Sequence, residues 1–318
     1  MTSPTHDSTA SAPRPADWAE PGIGPGWRFK FFSRIMRVGG TARGYHLADF
    51  AAVWYVLFYP SIRRRCAAYL SRRFPGRRSP VKRLLDTFRV VRAYAATLVD
   101  TLVLSMYGSD AFTARSRDHE ALREIARNPR GFVLLLGHVG CWQIGMSALG
   151  QLNKNVSVVM IPATGTGTPI YSVIDARYGL GASMQMTDRL LNGEVVAMMG
   201  DRTFGGDQAT VVATFLGDPA HFPVSPFRMA SATGVPVAVM TAPRVGKRRY
   251  EMRLEAVIDV PAGLGRNPQR YAPFAQQFAE CMERFVEEFP YQFYNFFDLW
   301  QPPKPTAPTP DPTPPPSA

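Results

Sequence analysis

The sequence predicts an α/β sandwich: a mainly parallel central sheet flanked by helices, preceded by an amphipathic and hydrophobic helical segment at the N-terminus. Three observations point there. Phe132–Leu136, an apolar run without polar alternation, reads as a buried strand, and Val156–Ile161, Val195–Met199, Val235–Thr241 and Met252–Val260 are further candidate strands. Segments of helical periodicity fall between and around them, the alternation that builds a parallel sheet with crossover helices. The chain has 318 residues, 46% of them hydrophobic and 20 of them Phe, enough to bury a sizeable core in one α/β unit.

In chain order, residues 1–26 are rich in Pro, Ser, Thr and Ala without periodicity, and disorder is expected there. A basic stretch followed by an apolar one is missing at the start, so no cleavable signal peptide is expected. Residues 27–83 form a basic segment expected to be helical and to meet a membrane. From Arg28 to Arg83 there are 14 Lys or Arg against Asp49 alone; with a net charge of +11, the remainder is about neutral. Such a field attracts phosphates. Aromatic and basic residues interleave from Trp27 to Val38, a mixture suited to lipid headgroups. Leu47–Tyr59 is a 13-residue run whose one polar member is Asp49. As a helix it reaches ~20 Å, short of the ~30 Å hydrocarbon thickness. Flanked by Arg43 and Arg63–Arg65, it reads as an interfacial or partly inserted anchor, with a core helix as the alternative. Nucleic-acid binding is disfavoured, because its Leu, Phe and Val would then face water. Arginines continue at Arg72, Arg73, Arg77 and Arg78, with a break at Pro75-Gly76.

Residues 84–301 are expected to form the main α/β domain. A helix is predicted over 80–107, with Leu84, Phe88, Val91, Tyr94 and Leu98 three or four apart. Tyr107–Ser116 reads as a loop, and His119–Asn128 as a short amphipathic helix on which His119 is a surface residue. The strand Phe132–Leu136 ends at Gly137, and a helix is predicted from about Cys141. His138 therefore lies on a strand-to-helix turn, where α/β proteins carry reactive groups. Tyr171–Tyr178 is predicted as a helix closed by Gly179. Val195–Met199 ends at Gly200-Asp201-Arg202, the second polar cluster at a strand's carboxyl end. Tyr271–Phe289 is a strong amphipathic helix carrying Phe274, Phe278, Met282, Phe285 and Phe289. Residues 302–318 hold nine prolines in seventeen positions and read as an extended tail.

Cys66, Cys141 and Cys281 are odd in number and widely spaced, which argues against a disulfide framework or a zinc site and fits a reducing compartment. Cys141 reads as a small buried residue rather than a nucleophile, because no second His lies near it in sequence.

The turn Gly137-His-Val-Gly-Cys-Trp142 resembles the His-four-residues-acid signature of the lysophospholipid acyltransferase superfamily. Its Gly-His-x-Gly-x-Trp form is closest to the lipid A late-acyltransferase branch (lauroyl and myristoyl acyltransferases), which also includes mycobacterial mannolipid acyltransferases. A second block, Phe215 to Val237, resembles that branch's Phe-x-Gly, proline turn and Ala-x-x-Thr-Gly-x-Pro-Val pattern. The similarity spans Trp27 to Trp300.

The resemblance implies an acyltransferase-type αβ sandwich and a membrane-associated O-acyltransferase. A fatty acyl group would move from acyl-ACP or acyl-CoA to a hydroxyl of a lipid or glycolipid, at the cytoplasmic face of a bacterial inner membrane. It also implies His138 as general base and an acceptor pocket shaped by Gly217, Pro223 and Ser225. Backbone N–H groups around Gly140 to Trp142 are expected to stabilise the tetrahedral oxyanion. Ser225 stands where relatives usually carry Gly. Neither a metal nor a bound cofactor is implied, and nucleic acid is not an expected partner. One departure matters: Gln143 occupies the position of the family's Glu or Asp. An amide accepts the imidazole N–H but cannot offset the charge that develops on the ring. Asp201 is the candidate for that missing charge and Arg202 for holding a phosphate or thioester oxygen, with Asp207 a weaker substitute for Asp201. Asp175 and Arg177 lie where relatives place a substrate-contacting Arg, and His221 has no expected catalytic duty. The rival reading is a protein that kept the fold, lost the chemistry and binds lipid or acyl carrier.

Overall fold

The computed structural model describes residues 27–76, 78–148, 154–161, 171–202 and 209–302. The expected N-terminal tail, the tail beyond Pro302, Arg77 and Asp207 lie outside the described residues. The elements are α1 (Trp27–Phe58), α2 (Pro60–Arg73), α3 (Pro80–Tyr107), β1 (Thr113–Ser116), α4 (His119–Ala126), β2 (Phe132–Leu136), α5 (Trp142–Ala148), β3 (Val156–Met160), β4 (Ser172–Asp175), α6 (Leu180–Leu191), β5 (Val195–Met199), β6 (Thr210–Phe215), β7 (Asp218–Pro223), α7 (Ser225–Thr233), β8 (Val237–Thr241), β9 (Arg244–Gly246), β10 (Arg249–Ile258) and α8 (Ala272–Glu288).

The central sheet runs β1-β10-β8-β2-β5-β3-β4, with β9 also on β10. Strands β8, β2, β5, β3 and β4 are mutually parallel, so their carboxyl ends share one edge. β10 is antiparallel to β8. Alternation along the strands divides the core. Val133, Leu135, Val196, Met198, Val237 and Val239 face α8, α7 and the β6–β7 hairpin. Phe132, Leu134, Leu136, Ala197, Met199 and Met240 face α4 and α5. This double cover is why the strands read as continuous apolar runs.

The N-terminal helices pack against this sandwich. α1 breaks at Gly40 (φ 74°, ψ 164°), a conformation that suits glycine. Past the break, Ala48, Ala52 and Val56 are buried, while Phe50, Trp54, Leu57 and Phe58 are exposed. The run Leu47–Tyr59 therefore packs one face as core, as the core-helix alternative expects, and leaves an aromatic face exposed. α3 is long and apolar enough to cross a membrane. One face of it packs against the protein, 44% of its apolar stretch being buried, with Asp86 and Asp100 buried on it and bonded to Arg78 and Arg244. The boundary expected at residue 83 falls in the first turn of α3.

Two expectations fail. Ser172–Asp175 is a strand paired in parallel with β3, not part of a helix; the short 3₁₀ turn Ala176–Tyr178 follows it. Its β-branched pair Val173-Ile174 suits an edge strand better than a helix. The loop expected over Tyr107–Ser116 contains β1, whose polar Thr-Ala-Arg-Ser sequence forms an edge strand on β10 with no apolar signal.

Candidate functional site

The site follows from sheet register. β2 and β5 are adjacent and parallel, with Leu136 opposite Met199. The ladder continues through the Gly200 N–H to the Leu136 carbonyl, 2.8 Å. His138 and Asp201 each lie two residues past that last pair, so they meet at the carboxyl edge. The His138 backbone N–H donates to Asp201 Oδ2 at 2.7 Å, and ring Nδ1 lies 2.7 Å from Oδ1. The Asp201 side chain is 1% exposed and that of His138 18%. Burial opposes ionisation of Asp201, but electrostatic attraction to His138, the two hydrogen bonds from its ring and main chain, and Arg202 hold the carboxyl below the usual carboxylate range. With Nδ1–H donating to this carboxylate, Nε2 is the nitrogen left to accept a proton.

The turn is clamped from the other side by the stretch after α8. Tyr294 N–H donates to the His138 carbonyl at 2.6 Å, and Gly140 N–H to the Gln292 carbonyl at 3.0 Å. Cys141 N–H donates to the Ala242 carbonyl at 2.9 Å. The donors expected at Gly140 and Cys141 for an oxyanion are therefore spent inside the protein. Gly140 has φ +58°, and a Cβ there would lie 2.2 Å from the Ala242 oxygen, so close backbone approach requires glycine. The Gln292 side chain grips Arg244 twice, accepting its N–H at 2.8 Å and donating to its carbonyl at 2.9 Å. The Arg244 guanidinium in turn bonds buried Asp100 at 2.7 Å, and Asp100 also accepts from the hydroxyls of Tyr45 and Tyr250. Asn295 donates to the Asp201 carbonyl at 2.8 Å and accepts from Arg202 Nε at 3.0 Å. Gln292, Tyr294 and Asn295 escaped sequence reasoning; their one signal is polar groups in an aromatic stretch past the last helix.

Gln143 is not the acceptor of the imidazole Nδ1–H. Its Oε1 accepts from Cys141 Sγ at 3.6 Å. Cys141 is fully buried, and burial pushes its thiol up to about 12, which removes it as a nucleophile. Trp142 packs on Tyr171 with ring centroids 5.7 Å apart. It lines a small apolar crevice, partly open to solvent, together with Leu134, Leu136, Val139, Met146 and Met240. Gly137 and Val139 on this wall flank His138.

Other candidates lie apart from the dyad. Arg177 follows β4, three strand positions from β2, which is ~14 Å at ordinary strand spacing. It is exposed and paired with Asp175 at 2.6 Å. Burial opposes ionisation of Asp175, but hydrogen bonds from Arg177 hold its carboxyl below the usual range. Gly217 belongs to the two-residue turn Leu216-Gly217 (φ 53° and 82°) that joins β6 to β7. Leu216 N–H is taken by Glu283 of α8, and Asp218 by Arg72 at 2.7 Å. Pro223 is the buried end of β7, and Ser225 opens α7. His221 donates its backbone N–H to the Leu299 carbonyl at 2.8 Å, on the same hairpin. The second motif is thus a hairpin and helix with Phe215, Phe222 and Phe227 in the core. Among the described residues no hydrogen bond joins it to His138 or Asp201. Nor do the described residues gather three or more His, Cys, Asp or Glu into a possible metal site.

The profile of the family described as bacterial lipid A biosynthesis acyltransferase matches residues 26–302, most of the chain. No curated protein gives a significant match.

Proposed function

Because the chain belongs to the bacterial lipid A biosynthesis acyltransferase family, and is therefore an acyltransferase that joins an acyl donor to a lipid acceptor, we propose that His138 is its general base and Asp201 the carboxylate partner. The donor is a thioester, acyl-ACP or acyl-CoA, and the acceptor a hydroxyl of a lipid or glycolipid. The observation that carries the reading is the paired bonding of the His138 backbone and ring to a buried, ionised Asp201.

In the proposed reaction, Nε2 takes the proton of the acceptor hydroxyl as its oxygen attacks the thioester carbonyl carbon. The imidazolium formed is stabilised by the Asp201 carboxylate. The tetrahedral adduct then collapses, the C–S bond breaks, and the imidazolium returns its proton to the departing thiolate, leaving an ester and a free thiol. Arg202, oriented by Asn295, is the candidate cation for a thioester or phosphate oxygen. The small apolar crevice beside Gly137 and Val139 is the candidate contact for the first carbons of the acyl chain. With a carboxylate already on the ring, Gln143 no longer argues for a protein that has lost its chemistry.

The enzyme works, in this reading, at the cytoplasmic face of the bacterial inner membrane as a peripheral or partly inserted protein. Support comes from the exposed Phe50, Trp54, Leu57 and Phe58 of α1, bordered by Arg64 and Arg65. The test is incubation of the purified protein with thioester donor and extracted membrane lipid, with product identified by mass spectrometry. An ester product that His138→Ala fails to make supports the proposal; equal product from both proteins refutes it.

A further inference from the structure

We propose that the β9–β10 hairpin is a second membrane contact, and that with α1 it turns the edge carrying His138 and Asp201 toward an anionic lipid bilayer. The inference rests on the reading of this enzyme as membrane-associated, and adds an element remote in sequence from the basic N-terminal segment.

The placement comes from register. β10 runs antiparallel to β8, and Arg253 is opposite Thr241, the last residue of β8. Residues 244–252 therefore project past the carboxyl end of β8, on the edge where the dyad sits. Four residues of β10 carry this projection ~13 Å outward. At its tip are three consecutive cations, Lys247, Arg248 and Arg249, and among the described residues no carboxylate forms a salt bridge with them. Lys247 and Arg249 are exposed.

The tip also touches α1. Arg248 reaches Thr41 Oγ1 at 3.4 Å, just past the Gly40 break, and Lys247 Nζ lies 5.6 Å from the centre of the Tyr45 ring. Exposed Arg37 and Arg43 stand on α1 at the same place, so two segments about two hundred residues apart in sequence pool their charge. Apolar side chains are mixed into the cluster: Val38 is 81% exposed and Val245 on β9 45%. From Arg43 one outer face of α1 continues through His46, Phe50, Trp54 and Leu57, at spacings of three and four, for ~21 Å. Exposed Arg64 and Arg65 follow on α2.

Cations at both ends of an aromatic row, with valines among them, match a bilayer surface. The charges meet lipid phosphates while rings and methyls enter the layer beneath. An acidic protein would satisfy the cations but leave the valines and the aromatic row facing water. Resting on both contacts, the protein presents its carboxyl edge to the lipid, so an acceptor can reach His138 without leaving the membrane.

The test is co-sedimentation of the full chain with vesicles of phosphatidylethanolamine and phosphatidylglycerol, and with neutral phosphatidylcholine vesicles. Each cation near such a surface contributes about fivefold in binding. Lys247→Gln/Arg249→Gln is expected to bind anionic vesicles roughly 25-fold more weakly. It should match the parent on neutral vesicles and in turnover of a detergent-dispersed acceptor. Lys247→Gln alone, expected to lose about fivefold, serves if the double variant misfolds. Unchanged affinity for anionic vesicles overturns the inference. So does a raised KM for acyl carrier protein with vesicle binding intact, which would assign the surface to an acidic carrier. If the parent protein ignores vesicles altogether, the membrane reading itself fails; if the parent binds and the variants bind equally, only the hairpin's part in it does.

Discussion

His138 bonds Asp201 twice, through its main-chain N–H and through ring Nδ1, each at 2.7 Å. One contact fixes where the residue sits and the other fixes which ring nitrogen is bare. Because both partners are two residues beyond paired positions on adjacent parallel strands, the arrangement is a property of the sheet rather than of a mobile loop.

The carboxyl of Asp201 is held below its usual range by His138 despite burial. A carboxyl whose folded value is depressed stabilises the protein above its unfolded value of ~3.9, and that contribution disappears as pH falls through the folded value. Asp201→Asn should therefore be less stable than the parent at pH 7 in urea unfolding, with the gap narrowing as pH drops below ~4. A gap that stays constant or widens in acid would contradict the assignment.

Gly140 combines φ +58° with a neighbouring carbonyl 2.2 Å from where a Cβ would stand. Gly140→Ala should cost about 2 kcal/mol or more in unfolding free energy. It should also lower acyl transfer, because the displaced backbone carries His138. Retention of parental stability and rate would show that the turn relaxes freely.

Gln292 acts through the turn rather than on substrate. Its side chain fastens Arg244, and its carbonyl takes the Gly140 N–H. Gln292→Ala should lower kcat by about tenfold to a hundredfold, the effect of a small displacement at a reacting centre, while KM for the donor changes little. Combined with Asp201→Asn the losses should fall short of multiplying, since both act on the same imidazole. A KM effect alone, or full multiplication, would separate Gln292 from the dyad.

Burial pushes the thiols of Cys66 and Cys141 up to about 12 and that of Cys281 to about 11. Native protein at pH 8 should therefore react slowly with a thiol reagent, and the unfolded chain should release three fast equivalents. Rapid labelling of Cys141 in the folded protein would reopen a nucleophilic role for it.

Much of this architecture was legible residue by residue. Phe132–Leu136 and Val195–Met199 are covered on both faces, so their runs carry no polar interruption and their limits agree with β2 and β5. Helix α3 is legible in Leu84, Phe88, Val91, Tyr94 and Leu98, three or four apart, and the expected limits 80–107 agree with it. From these, His138 and Asp201 could be assigned to strand ends. Their contact could not, because it depends on β2 and β5 being neighbours in the sheet although β3 and β4 lie between them in sequence, a long-range choice with no local trace. β4 and β1 were lost because edge strands can be short and polar. The β6–β7 hairpin has Val211, Ala213 and Phe215 alternating inward, a period-two pattern that runs into the second motif. The clamp from Gln292, Tyr294 and Asn295 has no periodic signature at all.

The most direct measurement of the central claim compares acyl transfer by Asp201→Asn and Gln143→Ala under saturating donor and acceptor. If Asp201 supplies the charge that Gln143 lacks, Asp201→Asn should lower kcat by about 10³- to 10⁴-fold, as loss of the acid does in comparable triads, while Gln143→Ala stays within about tenfold of the parent. The reverse ranking, or an Asp201→Asn enzyme with parental kcat, would contradict the account.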